Sequence, residues 1–197
     1  LTPKEAHDLW PLMQVEDVVG AAFLPTDGQA SPSDITMSLA KGARQLGVTV
    51  RERVRVTGFD VVADPAAPGG RRVRAVRTDH GDVECEVVVN CAGQWAKAVG
   101  AMAGVGVPLH SAEHFYVVTD QIDGVAAGMP ILRDPDGWTY VKEEVGGLVV
   151  GGFEPEAKPW VAPDAIPYPF EFQLLEEDWE HFSVLMDEAL VRIPALE

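Results

Sequence analysis

One stretch of the sequence combines the residue types that let a ligand approach the main chain closely. The apolar run Val87–Val89 leads into the small residues of Asn90–Gly93, and a helix is predicted from Gln94 to about Met102. A strand, a tight turn and a helix N-terminus leave backbone N–H groups free for a phosphate or another polar ligand group. The same pattern also fits a tight connection that binds nothing. The residues alone leave both interpretations open.

The glycine fingerprint of dinucleotide-binding proteins, G-x-G-x-x-G, is absent from the sequence. Gly104 and Gly106 come closest to it, but Val107-Pro108 follows, and that pair cannot open a helix in the required way. If the turn Asn90–Gly93 contacts a cofactor, it is therefore predicted to be a second contact rather than the first.

Other reactive residue types are better explained as structural. Ser31 and Ser33 lack the G-x-S-x-G context of a catalytic serine, so helix capping is predicted for them. Cys85 and Cys91 lie on or beside a predicted buried strand, which favours structural thiols. The Glu143–Glu144 pair is predicted to be solvated charge, because nothing else in the sequence fits the paired-carboxylate chemistry of a glycosidase.

Composition limits the classes of partner. The chain has 197 residues, with 15 basic and 31 acidic side chains and a net charge of −16. Nonspecific binding to nucleic acid or to an anionic membrane needs a basic surface and is not expected. No apolar run approaches the roughly 18 residues of a membrane-spanning helix, and a cytoplasmic location is predicted. The acidic excess concentrates in residues 134–197, which predicts a solvated face or, alternatively, an acidic docking surface.

Capping signals and periodicity predict the elements that would position these residues. Thr2–Glu5 predicts the start of a short helix, and Ser31-Pro32 opens a second one. Val18–Phe23 is predicted to be a buried strand. A β-meander is expected over residues 50–89, and its last apolar strand, Val87–Val89, should be covered on both faces as in a parallel sheet.

The second half of the chain is predicted to be rich in strands. These strands are expected at His114–Thr119, Ile131–Arg133, Thr139–Lys142 and Leu148–Phe153. A proline-rich loop, Pro155–Pro169, precedes an amphipathic helix over Glu177–Ile193. The fold class is therefore α/β (α+β), with a mixed or antiparallel sheet in the second half.

Several strings of residues are similar to those of one group of flavoproteins. The strings are Phe23–Ala30 with Pro32, Val54–Gly58 and Val88–Ala96, followed by Glu113–Thr119, Pro130–Asp134 and Gly147–Glu154. The first three resemble FAD-dependent amine oxidoreductases of the D-amino-acid-oxidase superfamily, and the last three look most like dimethylglycine and sarcosine dehydrogenases. The resemblance covers nearly the whole chain.

The resemblance implies which residues contact FAD. Val56 matches a backbone segment against the adenine end of the cofactor. Ala92 and Gly93 match the turn that passes close to the flavin, and Trp95 matches a flavin contact. Cys91 departs from the family, which commonly has Ala at that position.

The resemblance also implies an active site. His114 and Tyr140 match positions near the substrate amine, although Trp138-Thr139 departs from the tyrosines that often precede Tyr140. His114 would accept a proton from the substrate ammonium, and Tyr140 would hydrogen-bond the substrate or tune its protonation. A core histidine and an ordinary strand tyrosine are the structural alternatives.

Arg133 is the candidate for binding the substrate carboxylate through a bidentate hydrogen bond. A structural ion pair with Asp134 or Asp136 is the alternative for this side chain. No metal site is predicted.

The family pattern implies a fragment of a two-domain FAD-dependent oxidoreductase. Residues 1–106 would form part of the FAD-binding domain, with the meander and the entry to the substrate domain. Residues 107–197 would form a substrate-binding domain that is mainly β with a C-terminal helix. The family's G-x-G-x-x-G unit would lie upstream, and a folate-binding region would lie downstream.

The implied activity is oxidation of an N-methyl amine such as dimethylglycine or sarcosine by hydride transfer to FAD, with tetrahydrofolate as a further cofactor of the downstream region. The implied partners are a small N-methylated amino acid and either oxygen or an electron-acceptor protein. The alternatives are another D-amino-acid or glycine oxidase, or a flavoprotein-like binding module without catalysis.

Overall fold

The structure is a computed structural model that describes residues 1–162 and 165–197. The helices are α1 (Pro3–Leu9), α2 (Pro32–Gln45), α3 (Ala96–Met102) and α4 (Trp179–Arg192). The strands are β1 (Val56–Ala63), β2 (Arg71–Thr78), β3 (Gly81–Glu84), β4 (Tyr116–Val118), β5 (Leu132–Asp134), β6 (Thr139–Glu144) and β7 (Gly147–Gly152). Short 3₁₀ turns occupy Pro68–Gly70, Gly93–Trp95 and Pro194–Leu196. Within the described residues, no helix combines the length and the apolar character needed to cross a membrane.

The chain forms two compact units. The four-stranded unit comprises residues 1–29, 112–158 and 173–197, and the meander unit comprises residues 30–111 and 159–172. The first 29 residues pack with residues 112–158 and 173–197. The assignment of residues 1–106 to a FAD-binding domain and of residues 107–197 to a substrate-binding domain stays a prediction. Part of the predicted proline-rich loop, Pro163-Asp164, lies outside the described residues.

The four-stranded unit contains an antiparallel sheet with the strand order β4-β7-β6-β5. One face of this sheet packs on α1 and α4 through a core of apolar side chains. The core consists of Ala6, Trp10, Met13, Met129, Val141, Leu148, Val150, Ala189 and Ile193. Val141, Leu148 and Val150 alternate with outward residues along β6 and β7, as expected for a sheet with one buried face. The fold class predicted from the sequence, helices with an antiparallel sheet, is confirmed.

The two ends of α4 are held by charged side chains. Asp178 caps the N-terminus by accepting a hydrogen bond of 3.0 Å from the His181 backbone N–H. Near the C-terminus, the Arg192 guanidinium donates hydrogen bonds of 2.7 Å to Asp134 and 2.8 Å to Asp17. Hydrogen bonding to Arg192 lowers the pKa of the Asp17 carboxyl. These pairs fix the helix against β5 and against the segment after α1.

The start of α1 forms as the sequence predicts, but the buried strand expected at Val18–Phe23 is wrong. The Thr2 hydroxyl accepts from the Glu5 backbone N–H, and the Glu5 carboxylate accepts from the Thr2 backbone N–H at 2.8 Å. Val18–Phe23 instead runs without strand structure, and Val19 is 99% exposed. Among the described residues, the backbone of Val18–Phe23 exchanges two hydrogen bonds with a distant segment, both between Ala21 and Leu1. A single pair of this kind does not make a β-ladder.

The meander unit contains the antiparallel sheet β1-β2-β3. The Ser31 hydroxyl caps α2 at its N-terminus by accepting from the Asp34 backbone N–H at 3.3 Å, as predicted. However, no residue of α2 is buried, and Leu39 is 70% exposed. The described residues therefore do not cover the apolar stripe of α2, which would normally face a core.

The expected buried strand at Val87–Val89 is also wrong. The segment carries no strand structure, and Val87 and Val89 are 78% and 79% exposed. A strand needs a neighbour for its N–H and C=O groups, and the described part of the chain provides none for this run. The parallel sheet predicted for it is accordingly absent among the described residues, whose strand pairs are all antiparallel.

Candidate functional site

A single row of residues crosses the open face of the four-stranded sheet. Arg133 of β5 lies opposite Tyr140 of β6, and Tyr140 lies opposite Gly151 of β7. Gly151 in turn lies opposite Tyr116 of β4. Directly paired residues of antiparallel strands share a face, so this row lies on the side opposite the apolar core. The row brings together two of the residues predicted to bind or transform a substrate.

His114 joins this row just before β4. Its Nε2 atom lies 3.0 Å from the Tyr140 hydroxyl oxygen, which is hydrogen-bonding distance. The two rings are nearly parallel, with an interplanar angle of 16° and centroids 5.8 Å apart. Phe153 stacks on His114 with a centroid separation of 4.9 Å. The imidazole and the phenol are therefore held together by a hydrogen bond and by a shared aromatic neighbour.

Burial raises the pKa of the Tyr140 phenol above its usual value. Nearby Tyr116 raises this pKa further, and the positive charge of Arg133 lowers it without offsetting the rise. The phenol is therefore neutral at physiological pH and retains its O–H for hydrogen bonding. Its partner can be the unprotonated Nε2 of His114 or a polar group of a bound ligand.

Arg133 places a cation beside the aromatic pair. The central carbon of its guanidinium lies 5.7 Å from the ring centroids of both Tyr140 and Phe153, within cation–π range. Its neighbour Asp134 pairs with Arg192 on the other face of the sheet. Within the described part of the chain, Arg133 forms no ion pair with Asp134 or Asp136. Its five N–H donors remain available for a carboxylate.

A cluster of charges fixes the segment that carries His114. Lys158 forms ion pairs of 3.1 Å with Glu113 and 2.6 Å with Asp178, the residue that caps α4. The backbone N–H of Glu113 also donates to the Lys158 carbonyl oxygen at 2.9 Å. Because Glu113 precedes His114, the cluster anchors the imidazole from its N-terminal side. The sequence does not indicate this role for Lys158.

The turn predicted to contact a cofactor forms in the meander unit. Asn90 holds it from both sides, because its carboxamide oxygen accepts from the Ala92 N–H at 3.3 Å and its nitrogen donates to the Ala96 carbonyl at 2.9 Å. Gly93 adopts a φ of +55°, and a Cβ placed on it would meet no atom within 4 Å. The main chain at Gly93 is therefore open to a ligand, which fits a flavin or a phosphate chain that lies against the backbone.

Trp95 is tied to a later segment of the same unit. Its indole N–H donates to the Pro167 carbonyl at 3.2 Å, and its ring meets Tyr168 edge-on with centroids 6.0 Å apart. The Arg55 guanidinium lies 4.7 Å from the Tyr168 ring centroid. A cofactor contact of Trp95 would therefore involve the indole ring rather than its N–H.

Val56, the remaining predicted cofactor contact, lies outside this turn. It is the first residue of β1 and pairs with Thr78 of β2. Main-chain pairing extends one residue before Val56, because the Asp79 N–H donates to the Arg55 carbonyl oxygen at 3.1 Å. The Arg55 N–H also donates to the Asp79 carboxylate at 2.9 Å. Its role at the adenine end of FAD stays a prediction.

Sequence reasoning missed several neighbours of these residues. The sequence does not point to Tyr116 and Phe153 on the sheet face, to Arg55 and Tyr168 near the turn, or to the hydrogen bonds by which Asn90 supports the turn. Strand alternation could have found the first pair, because Tyr116 lies two residues after His114 and Phe153 two residues after Gly151. No sequence spacing links Tyr168 to Trp95.

Comparison with known proteins places the chain among flavoenzymes. The family model for FAD dependent oxidoreductases, abbreviated DAO, matches residues 1–197. Sarcosine dehydrogenase of Homo sapiens is 42% identical over the whole chain, which spans 21% of that protein. Dimethylglycine dehydrogenase of Rattus norvegicus is 33% identical over the whole chain, which spans 23% of it.

Further relatives carry names that indicate other functions. The pyruvate dehydrogenase phosphatase regulatory subunit of Mus musculus is 38% identical over the whole chain, which spans 23% of that protein. Among solved structures, L-proline dehydrogenase from P. horikoshii superposes with a TM-score of 0.75 at 26% identity, and the whole chain covers 48% of it. The chain thus spans about a fifth of the length of the curated relatives it matches. Along its entire length, the chain belongs to the family of FAD-dependent oxidoreductases.

Proposed function

We propose that the chain is part of an enzyme that uses FAD to oxidise an N-methyl amine of the dimethylglycine or sarcosine type. The observation that carries this proposal is the grouping of His114, Tyr140 and Arg133 on one open sheet face. A proton-accepting pair beside a cation suits a small amino acid, which carries an amine and a carboxylate. The relatives named after sarcosine and dimethylglycine support the same class of substrate.

Arg133 would orient the substrate through its carboxylate. The planar guanidinium can donate two parallel hydrogen bonds to a carboxylate, which fixes both the distance and the direction of the ligand. The aromatic rings of Tyr140 and Phe153 lie beside this cation and would contact the apolar N-methyl groups. Binding at both ends would restrict the rotation of the amine against the sheet.

His114 and Tyr140 would control the protonation of the amine. A substrate amine in water is mostly an ammonium ion, and it must lose this proton before the adjacent C–H bond can be oxidised. The ammonium would donate to the Tyr140 hydroxyl or directly to His114 Nε2, and the imidazole would hold the proton. The Tyr140 hydroxyl lies 3.0 Å from His114 Nε2, so a neutral phenol could accept from the amine while it donates to the imidazole.

The residues of the meander unit would hold the cofactor. Ala92 and Gly93 would let it approach the main chain, and the Trp95 ring and the β1 segment at Val56 would provide further contacts. When bound, FAD supplies the hydride acceptor for the C–H bond that is oxidised. The amine then becomes an iminium ion, which water hydrolyses to an aldehyde and the demethylated amine.

Three further predictions extend beyond the residues described here. Tetrahydrofolate would capture the one-carbon product in a downstream region, and oxygen or an electron-acceptor protein would take the electrons. The cytoplasmic location also stays a prediction, and the sarcosine and dimethylglycine dehydrogenases to which the chain is similar are mitochondrial.

The proposal is tested by mixing the full-length, FAD-loaded protein anaerobically with dimethylglycine and, separately, with sarcosine. The flavin absorbance near ~450 nm reports electron acceptance directly. We expect bleaching by at least one amine. One methyl group changes discrimination by only about 1–3 kcal/mol, so both substrates are needed, and the faster reaction identifies the preferred one. A flavin that stays oxidised with both amines would contradict the proposal.

A second candidate function is a flavoprotein-like module that binds a partner without oxidising a substrate. The 38% identity to a protein named as a phosphatase regulatory subunit favours it. The acidic C-terminal third would then be the docking surface. The same experiment separates the two functions, because such a module is either colourless or has a flavin that no small amine reduces.

A further inference from the structure

We propose that Gly151 is a positioning residue for Tyr140. The absence of a side chain at Gly151 lets the phenol lie across β7, where its hydroxyl meets His114. The inference deepens the proposed function, on which it rests, and it assigns a role to a residue that carries no reactive group.

The main chain does not explain why this position is glycine. Gly151 lies within β7 and is not among the glycines with a positive φ, so an L residue could adopt its backbone conformation. The explanation lies in the space above it. A Cβ on Gly151 would lie 2.6 Å from the Tyr140 hydroxyl oxygen and 2.8 Å from the ring carbon that carries it.

The other glycines of β7 meet different neighbours. A Cβ on Gly147 would lie 2.7 Å from the backbone oxygens of Thr119 and Asp120. A Cβ on Gly152 would clash with Leu185 in the core and would lie 2.6 Å from the Trp138 carbonyl oxygen. At both positions, glycine lets β7 pack closely against neighbouring main chain or core side chains. A Cβ on Gly151 also approaches the Phe115 carbonyl at 2.9 Å, but its two shortest contacts are with Tyr140.

The paired register explains this contact. Tyr140 and Gly151 are directly opposite each other, so a phenol that leans toward β4 must cross the Cα of Gly151. That lean brings its hydroxyl to 3.0 Å from His114 Nε2. A methyl group at position 151 would displace the ring, and hydrogen bonds weaken steeply when distance or angle departs from the optimum.

The central variant is Gly151→Ala in the full-length, FAD-loaded protein. We expect kcat for amine oxidation to fall by about 10- to 100-fold, because a misplacement of about 1 Å can reduce a rate by that amount. Flavin content should stay unchanged. In a crystal structure of the variant, the distance from the Tyr140 hydroxyl to His114 Nε2 should exceed hydrogen-bonding range.

Two further variants separate positioning from general strain. Gly147→Ala serves as the matched control on the same strand, because its Cβ would meet the Thr119 and Asp120 oxygens and not Tyr140. It should lower the Tm while keeping kcat within about twofold. In a Tyr140→Phe background the hydroxyl is already absent, so Gly151→Ala should cause less than a threefold further loss, as expected for coupled residues.

Each outcome decides the inference. It is overturned if Gly151→Ala keeps the wild-type kcat, or if it loses activity while the crystal structure retains the Tyr140–His114 hydrogen bond. If Gly151→Ala does not fold, the double variant Gly151→Ala/Tyr140→Ala is used. Recovery of folding would identify Tyr140 as the source of the clash, whereas continued failure would implicate the Phe115 carbonyl and overturn the inference. A wild-type protein that oxidises no amine defeats the proposed function alone, since the crystallographic test still decides the role of Gly151.

Discussion

Within residues 1–197, the four-stranded unit covers a core of apolar side chains, whereas the meander unit leaves many of its apolar side chains exposed. In the four-stranded unit, α1 and α4 cover one face of the sheet, and Leu148, Leu185 and Val150 are fully buried. In the meander unit, α2 buries no residue, and the Val87–Val89 run is exposed. Similar apolar patterns therefore have different outcomes. The difference shows that the spacing of apolar residues indicates which face of a helix or strand could be buried. Whether that face is buried depends on a second element that packs on it.

The two units also differ in their proposed roles, since the four-stranded unit would act on the amine and the meander unit would hold the cofactor. The largest predicted effect tests this difference. We expect His114→Asn to slow flavin reduction by about 10²- to 10⁴-fold, the range for loss of a general base. FAD binding should be unchanged, because His114 belongs to the four-stranded unit. Stopped-flow absorbance under anaerobic conditions measures the rate constant.

The comparison variant for that experiment is Trp95→Ala in the meander unit. We expect it to weaken FAD binding by about tenfold, or 1.4 kcal/mol, while the reduction rate of the FAD-loaded fraction stays close to wild type. A Trp95 variant that binds FAD normally but reacts slowly would reverse the roles assigned to the two units.

The second prediction compares buried and exposed leucines. Leu185→Ala should lower the free energy of unfolding of the 197-residue chain by about 2–5 kcal/mol, since it removes a fully buried side chain and leaves a cavity. Leu39→Ala on the exposed stripe of α2 should change it by no more than about 0.5 kcal/mol. Urea denaturation measures both values. A comparable loss for Leu39→Ala would mean that something covers α2 in solution.

The third prediction compares ion pairs. Arg192 is only 9% exposed and bonds Asp134 and Asp17, so Arg192→Met should destabilise the chain by about 3 kcal/mol by leaving the half-buried Asp134 without its partner. Arg74 of the meander unit pairs with Asp60, but its side chain is 61% exposed. Arg74→Met should therefore cost less than about 1 kcal/mol. Equal losses in thermal unfolding would contradict this contrast.

The smallest predicted effect concerns acid. A hydrogen bond from Lys158 lowers the pKa of the Asp178 carboxyl, and the His181 backbone N–H lowers it further. A carboxyl whose pKa is lowered by folding stabilises the native state above its unfolded pKa, and this stabilisation is lost as the pH falls through the folded pKa. Tm measured from neutral pH to below the usual Asp range should therefore fall less steeply for Asp178→Asn than for wild type. Parallel curves would exclude this carboxyl as a source of acid sensitivity.

Local signals in the sequence predicted much of the secondary structure. The Thr2 capping box, the Ser31 cap and the later strands depend on residues that are close along the chain, and each element formed near its predicted place. Val87–Val89 and Leu148–Val150 are both apolar runs, yet only the second is a strand. The second run has β6 and β4 as neighbours, and a short window of sequence does not contain that information.

The candidate site was predicted only in part, because contacts between residues that are distant in the chain cannot be inferred from a short window of sequence. The resemblance points to His114 and Tyr140, the chemistry of a guanidinium points to Arg133, and the structure places the three residues together. The supporting contacts link residues that are distant in the chain, such as Lys158 with Asp178 and Arg192 with Asp134. The contact of Tyr140 with Gly151 depends on strand register, which the identity of a glycine does not reveal.

The ion pair of Asp134 with Arg192 has a consequence for strand alignment. Arg133 and Asp134 are consecutive residues of β5, so they point to opposite faces of the sheet. A slip of β5 by one residue would exchange these faces. It would move Asp134 to the open side and bring the positive charge of Arg133 against Arg192. The order of Arg133 and Asp134 in β5 thus favours the observed alignment of β5 with β6. In that alignment, the Arg133 guanidinium lies on the open face of the sheet.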